Sequence, residues 1–524
     1  MRLGPRGERS NRPNREDTGD VKPNPCRMSD PRSRREFIVD AGRLALGAAL
    51  AGPLTALTQA TPPTKVDWNQ LARNLDGTLL MPGSPAYTEA TLIRNLRYAK
   101  NLPAAVASVK TARDVATSIR FARDHGVPLV TRSGGHSFAG YSTGPGLVID
   151  LNGMTRVTVD PTTGRMRCVG AATNEDVAVA GQPHGRAVAG GQCPTVGIPG
   201  FTLGGGLGFY MRQHGLAIDA LVETEMVTAD GKVVTANRAE HPELFWACRG
   251  GGGGNFGINT SFTFQTFVVP AHVTIFSLTW KGDACARAFL AFQELLQEAP
   301  DGLGAVAHFA VDAQETGSPT PTLRVFGQVA SMSAERTERM FARVEARAKP
   351  IERLFRSETF WAAKEWLAED TGPPNAFAER SRYFPRPLGR SGAEAIVDAL
   401  SRAPVRTGNG LSVETPFFAW GGAVNRVDPT ATAFYHRRDL WLQAVSASWS
   451  LEADPEDVQR LREWQDTFYQ RMARYGSDRA YQNFVDPRLK DPLRAYYAGN
   501  LARLRRIKRA YDPGNVFTFA QSIR

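Results

Sequence analysis

Three side chains in this sequence have the type and setting from which chemistry could be built. His136 sits in a tight glycine loop, Arg132-Ser133-Gly134-Gly135-His136-Ser137. Cys193 heads a second glycine-rich run, Cys193-Pro194-Thr195-Val196-Gly197, which continues past Gly200 to Gly204-Gly205-Gly206-Leu207-Gly208. Tyr481 stands near the end of the chain in Ala480-Tyr481-Gln482-Asn483. An imidazole and a thiol can each act as a nucleophile. A phenol of pKa ~10 becomes a base only where a neighbouring positive group or hydrogen bond helps it. Glycine clusters, of which a third runs from Arg249 to Ile258, present bare backbone N–H groups to a ligand without a Cβ in the way. Taken singly, each residue has a plainer reading. A lone cysteine is usually a small buried hydrophobe, a histidine in a glycine loop can bond backbone, and a core tyrosine can have a satisfied hydroxyl.

Other chemistries fit poorly. A dinucleotide fingerprint needs GxGxxG between a strand and a helix, whereas a proline-containing loop precedes Gly204–Gly208. No Walker lysine follows any cluster. The five cysteines show no CxxC spacing, and the eight histidines no HExxH, so no metal is expected. Cys168, Cys248 and Cys285 read as buried small residues. The net charge of +11 is not a nucleic-acid signature. About +4 of it falls in the first 43 residues, and the rest has no basic run interleaved with aromatics.

The elements that must position these residues can be read in outline. The chain of 524 residues, 42% hydrophobic and 22% charged, is long enough for two domains. Residues from Trp68 to Tyr98 read as an irregular lead-in. A strand at Val106–Val109, a helix capped by Thr111 and stopped at Gly126, and a strand from Val127 lead into the His136 loop. Short strands follow at Leu147–Leu151, Arg156–Val159 and Arg165–Val169, with a helix at Asn174–Ala180. Glu223–Thr228 pairs with Lys232–Thr235 as a hairpin across Ala229-Asp230-Gly231. From about Val268 strands alternate with long charged helices, such as Ser333–Ala348, and the domain boundary is placed there.

The motifs RSGGHS, CPTVGIPGFTLGGGLG and GGGGGNFGI, in that order, resemble the FAD-binding half of the berberine bridge enzyme-like oxidases, within the vanillyl-alcohol-oxidase type of flavoproteins. The closing stretch Tyr496-Tyr497-Ala498-Gly499-Asn500-Leu501 through Lys508, Tyr511-Asp512-Pro513 and Gln521-Ser522-Ile523 is similar to that family's last segment. The likeness runs, with gaps, from about Asn101 to the end. It implies an α+β fold: a PCMH-type FAD-binding domain at 61–267, completed by 466–524, with an inserted α/β substrate domain on an antiparallel sheet at 268–465. It further implies FAD bonded to His136 through the flavin 8α-methyl group and to Cys193 through flavin C6. Arg132, Ser133, Gly134, Gly135, Ser137, Thr195, Val196, Gly197, Gly200, Gly204, Gly205, Gly206, Gly208, Gly257, Ile258, Tyr481 and Asn483 join them as cofactor-binding positions.

Tyr481 and Asn483 match the YxN segment that lies over the flavin in carbohydrate-oxidising relatives, which makes Tyr481 the candidate base. Alkaloid-forming members carry a glutamate before the segment equivalent to Phe434–Arg437. Here Gly421–Arg426 contains none, which argues for alcohol oxidation over oxidative bridge formation. Val196 matches the position associated with oxygen access. The expected activity is therefore oxidation of an alcohol or carbohydrate, with O2 as acceptor giving peroxide. A dehydrogenase using another acceptor and a non-catalytic flavin-binding protein are the alternatives. Ser381-Arg382-Tyr383 and Trp420 could line the pocket or be structural.

The N-terminus reads as an address. Ser33-Arg34-Arg35-Glu36-Phe37-Ile38, then the apolar Leu44–Leu57 and Thr58-Gln59-Ala60, follow the pattern of a twin-arginine export signal, recognised by that translocation machinery. Residues 1–60 are thus expected to be a leader and the enzyme exported, with no stable membrane span because the apolar run is short against a ~30 Å bilayer. Translation is expected to start at Met28.

Overall fold

A computed structural model describes residues 66–368 and 372–524; the leader, its twin-arginine pair, Cys26 and Met28 lie outside them. The lead-in is more regular than expected. Asp67 accepts from Asn69 N–H and caps the helix Trp68–Arg73, and Ser84 caps Pro85–Ala90, where proline stands at the first position. Polar caps and an N1 proline are the ordinary start signals of short helices.

The first sheet holds β1 (Thr78–Leu80), β2 (Ala105–Ser108), β3 (Leu129–Arg132) and β4 (Leu147–Asp150) in the order β1-β2-β4-β3. Its three inner pairings include two parallel ones, β2 with β4 and β3 with β4. The helix Ala112–Asp124, capped by Thr111, buries Val115, Ile119 and Phe121 against it. The second sheet joins β5 (Val157–Asp160), β6 (Arg165–Val169), β8 (Leu221–Val227), β9 (Val233–Asn237) and β10 (Ile258–Gln265) in the antiparallel order β5-β6-β10-β8-β9. β7 (Arg186–Ala187) and β11 (Phe267–Val268) form a small pair.

Seven longer strands make one antiparallel sheet: β12 (Val273–Lys281), β13 (Leu303–Asp312), β14 (Thr320–Ala330), β15 (Glu352–Glu358), β16 (Ala376–Phe384), β17 (Leu411–Ala419) and β18 (Trp441–Trp449), ordered β15-β12-β14-β13-β17-β18-β16. Strand alternation assigns its two faces opposite tasks. Phe276, Leu278, Ala307, Phe309, Val325, Val413, Phe417, Val445 and Ala447 pack beneath the helices Ala284–Glu298, Ala334–Arg347, Arg390–Leu400 and Pro455–Met472. The intervening residues, among them Ser277, His308, Arg324, Glu379, Glu414 and Ser446, face a cavity shared with the glycine loops. The arrangement is α+β. No helix among the described residues is long and apolar enough to cross a membrane.

Candidate active site and cofactor cavity

The His136 loop begins at a buried anchor. Arg132 ends β3 and donates from Nη2 to Asp150 Oδ2 on β4, 2.8 Å away, with both side chains almost wholly buried. The chain then turns through Ser133 and Gly134 against the Cys193 loop. A Cβ on Gly134 would stand 2.6 Å from Gly197 N, so the two loops touch backbone to backbone. Asn174, first residue of its helix, holds the second loop by donating to Cys193 O (3.0 Å) and accepting from Gly191 N–H (3.2 Å). His136 Nε2 consequently lies 3.0 Å from Thr195 Oγ1, and Cys193 Sγ 3.4 Å from the same oxygen. Imidazole and thiol are therefore no further apart than those two contacts allow.

His136 is pushed down to about 4, first by burial and then by the Arg94 guanidinium. At neutral pH it is an uncharged imidazole with a lone pair to give. Cys168, Cys248 and Cys285 are each pushed up to about 12, chiefly by burial, and so stay inert thiols. No disulfide forms among the four described cysteines.

Both loops open on a cavity of about 1950 Å³, well beyond the ~300–1,000 Å³ usual for a single small ligand. It has room for a cofactor and a second molecule. Ser133, Gly134, Gly135, His136, Ser137, Cys193, Val196, Gly197, Gly200, Gly257, Ile258, Tyr481 and Asn483 line it. A Cβ on Gly200 would meet nothing within 4 Å, so there the backbone itself faces the space. The third cluster adds Gly252, Gly253 and Gly254 to the wall. The C-terminal segment locks that cluster in place. Lys508 Nζ, 2% exposed, donates to Asn255 O (2.8 Å), Phe517 O (2.6 Å) and Asp512 Oδ2 (2.6 Å). Tyr497 Oη donates to Gly251 O (3.0 Å), and Ile523 N–H to Asn255 Oδ1 (2.9 Å).

Six expected cofactor positions stand behind this wall or beside it. Arg132 is spent on Asp150, and Thr195 on the His136–Cys193 pair. Gly204 is packed on Asn483, and Gly208 on the carbonyl of Gly190. Gly205 (φ 133°) and Gly206 (φ 81°) take backbone conformations that other residues rarely adopt. Those conformations aim Gly206 N–H at Tyr481 Oη, 3.0 Å away. The cluster thus cradles a side chain.

Tyr481 is 1% exposed. Its oxygen accepts from Gly206 N–H and from Asn483 Nδ2 (3.0 Å), and Asn483 also donates to Phe201 O (2.9 Å). Its own N–H donates to Ser381 Oγ on β16 (2.9 Å). Burial pushes the phenol up to about 12, while the donors at Gly206, Asn483 and Leu207 pull the other way. The helper that the sequence left unnamed is a set of N–H groups, with no cation among them.

Ser381, Arg382, Tyr383 and Trp420 do not line the cavity. Ser381 holds Tyr481, Arg382 bonds Ser477 O and Tyr469 O, and Tyr383 and Trp420 are fully buried against each other. The sheet supplies cavity groups that the sequence reading missed. Glu379 Oε2 accepts from Ser446 Oγ (2.6 Å) and Glu414 Oε2 pairs with His308 Nε2 (2.8 Å). Burial pushes Glu414 up, but the hydrogen bond and charge of His308 outweigh it and hold the carboxyl below its ordinary value. Glu379 and Glu414 thus face the cavity from the sheet although 421–426 holds no glutamate, and Asp312, Glu352, Glu358 and Glu365 line it as well.

Comparison with known proteins agrees with this site. Residues 103–237 match the family described as FAD binding domain, and residues 480–524 the family Berberine and berberine like. The uncharacterized FAD-linked oxidoreductase YgaK of Bacillus subtilis strain 168 is 30% identical over 455 residues, 86% of this chain and 97% of that protein. The structure of Physcomitrella patens BBE-like 1 superposes with a TM-score of 0.77 at 28% identity, covering 88% of this chain and 99% of that one. Glucooligosaccharide oxidase from Acremonium strictum, described with a 6-S-cysteinyl, 8α-N1-histidyl FAD, superposes with a TM-score of 0.75 at 25% identity over 87% and 98% of the two chains. A glycine-walled cavity, a FAD-binding half and a berberine-type closing segment thus converge. The chain belongs to the berberine bridge enzyme-like FAD-linked oxidoreductases, of the vanillyl-alcohol-oxidase type, and is an FAD-dependent enzyme.

Proposed function

We propose that the enzyme oxidises an alcohol or hemiacetal carbon of a carbohydrate or polyhydroxylated metabolite, using FAD bonded to both His136 and Cys193 and O2 as acceptor. The observation that carries this reading is the opening of His136, Cys193 and Tyr481 onto one cavity whose far wall is the polar face of the seven-stranded sheet. A polar wall suits a hydroxylated substrate better than an apolar one. The neutral imidazole and the thiol share Thr195 as neighbour, which suits two attachments to one benzenoid ring. The named chemistry of the Acremonium strictum relative supports the same pairing.

FAD supplies a hydride acceptor and passes the two electrons on to O2, giving peroxide. The protein's part is to orient the carbinol and take its proton. Tyr481 Oη receives the hydroxyl proton as the carbon loses hydride, and Gly206 N–H and the Asn483 amide hold the charge that develops there. The sheet wall fixes the substrate's other hydroxyls. We assign cofactor binding to 61–267 with 466–524 and substrate binding to 268–465. Residues 1–60 we read as a leader for twin-arginine export, which N-terminal sequencing of exported enzyme tests.

Precipitating the holoenzyme with acid is expected to leave the yellow colour in the pellet. His136→Ala and Cys193→Ala should each keep the flavin in the pellet with an altered absorption spectrum, and the double variant should release it to the supernatant. An unchanged spectrum in Cys193→Ala would leave His136 as the single tether. Peroxide release in air, against dye reduction without it, separates the oxidase from a dehydrogenase; no peroxide with a reducible dye refutes the oxidase reading.

A further inference from the structure

The sheet wall of the cavity carries charge of both signs, and most of its cations are neutralised in place. Lys281 pairs with Asp312 (2.6 Å), Arg356 with Glu358 (2.6 Å) and His308 with Glu414 (2.8 Å). Arg353 turns to Glu338 and Glu345 on the helix Ala334–Arg347. Arg94 belongs with the His136 loop, whose imidazole feels its charge. Among the described residues, one sheet cation lining the cavity forms no ion pair: Arg324 on β14. Two carboxylates of the wall are near enough to be weighed against it. Glu352 lies two strands away across Thr279, and Glu365 precedes Trp366 on an exposed turn. Neither forms an ion pair with Arg324. Burial pushes its guanidinium down from the ordinary value, and the charge of Glu352 offsets this only from a distance.

Arg324 is nonetheless held in one pose. Its Nε donates to Ser277 Oγ (2.8 Å), and its guanidinium carbon lies over the rings of Phe326 (4.7 Å) and Trp366 (5.6 Å). Aromatic faces orient a guanidinium plane while leaving its edge available. With Nε spent, both Nη groups keep their donors, and donors are all that a guanidinium has. The pose also has a direction. Across the strands Thr279 faces Arg324, whereas Ser277 faces Phe326. The side chain therefore leans one pair along the sheet, away from the row of Glu352. It ends on the row in which Phe326 faces Val306 and Val306 faces Phe418. Phe418 packs on Phe484 (5.7 Å between ring centroids), and Phe484 on Tyr481 (5.1 Å). Phe326 and Phe418 are two strand spacings apart, roughly 10 Å. The guanidinium thus shares the row that leads to Tyr481 but stands beyond the carbon being oxidised. A hydroxyl offers such a fork one oxygen, while a carboxylate takes two parallel charge-assisted bonds and neutralises the charge.

We propose that the substrate carries a carboxylate on the unit next to the one oxidised, as in an oligosaccharide containing a uronic acid, and that Arg324 receives it through its two Nη groups. Ser277, Phe326 and Trp366 are then positioning residues for that fork. This inference rests on the alcohol-oxidation reading above and adds the charge of the substrate to it.

The test uses the flavin-loaded holoenzyme and two disaccharides of one skeleton. They are the methyl glycoside of cellobiose and its counterpart with a carboxylate at C6 of the non-reducing unit. The anomeric carbon is blocked in both, and affinities are read by titration calorimetry without oxygen, so no turnover is needed. The acid is expected to bind about tenfold or more tighter than the neutral sugar. In Arg324→Gln that ratio should collapse towards one. In Ser277→Ala, which keeps the charge but releases its Nε, the ratio should be intermediate. Equal binding in the wild type, or a preference that survives Arg324→Gln, overturns the proposal and leaves alcohol oxidation standing. If Arg324→Gln holds no flavin, Ser277→Ala and the wild-type ratio decide. Failure of both sugars to bind overturns the proposal together with the carbohydrate reading. A tighter-binding acid whose unblocked form never bleaches the flavin counts against oxidation alone and leaves Arg324 as the carboxylate site.

Discussion

Tyr481→Phe is expected to lower kcat by about 10²–10⁴-fold, the range removed with a positioned general base, while the acid-precipitated protein stays yellow. The phenol oxygen on the cavity wall accepts from two N–H donors, Gly206 and Asn483. Those donors favour the charged form, and burial opposes them strongly enough to push the group up to about 12. The neutral phenol therefore predominates at pH 7. Only the deprotonated oxygen takes a proton, so the wild-type rate should climb with pH across the alkaline range, and the slope should vanish in Tyr481→Phe. Asn483→Ala removes one donor to the phenolate, so its profile should move to still higher pH. A merely structural tyrosine would leave the shape of the profile alone. A kcat within about threefold of wild type in Tyr481→Phe would take Tyr481 out of the proton's path.

The parts of this site that could be read from the sequence are those with local signals. Glycine loops, a histidine and a cysteine in fixed motifs, and Thr111 before an amphipathic helix each declare themselves within a few residues. The hairpin of β8 and β9 did so as well, through Ala229-Asp230-Gly231. What stayed hidden depends on strands far apart in the chain. Glu379, Glu414 and His308 come together only by the order β13-β17-β18-β16. β17 carries a fair signal, since Leu411-Ser412-Val413-Glu414 alternates apolar with polar as a half-buried strand should. β16 does not. Ala376–Phe384 is buried along its whole length, with Arg380 and Arg382 on the helix side paired to Asp486, Asp466 and backbone carbonyls. Polar residues on both faces erase the period that would have set Glu379 apart. The Gly204–Gly208 cluster was legible only in part: its composition announced a backbone cradle, but nothing local said that Tyr481, some 275 residues away, packs against it.

That long-range dependence makes Asp219→Ala the second large effect. Asp219 accepts both Nη groups of Arg437 at 2.7 Å, and Arg437 is 0% exposed at its side chain. Removing one partner of a buried ion pair typically costs about 3–5 kcal/mol, because the other charge is left in place. Loss of that size should appear as a large fall in the urea midpoint. Asp219 also accepts from Leu216 N–H (2.9 Å), starting the turn in which Ala217 N–H donates to Gly206 O (2.9 Å) and Ile218 N–H to Gly205 O (3.2 Å). The carboxylate thus holds the glycine backbone that holds Tyr481. Its two roles can be separated. Replacing both partners by apolar residues of similar volume, Asp219→Leu with Arg437→Met, should restore much of the stability, since buried pairs exchange for packing at little net cost. It should not restore the turn. The double variant is expected to regain the midpoint yet keep a depressed kcat and an upward-shifted pH profile. If kcat recovers together with stability, Asp219 serves the fold alone and the glycine cradle needs no support from it.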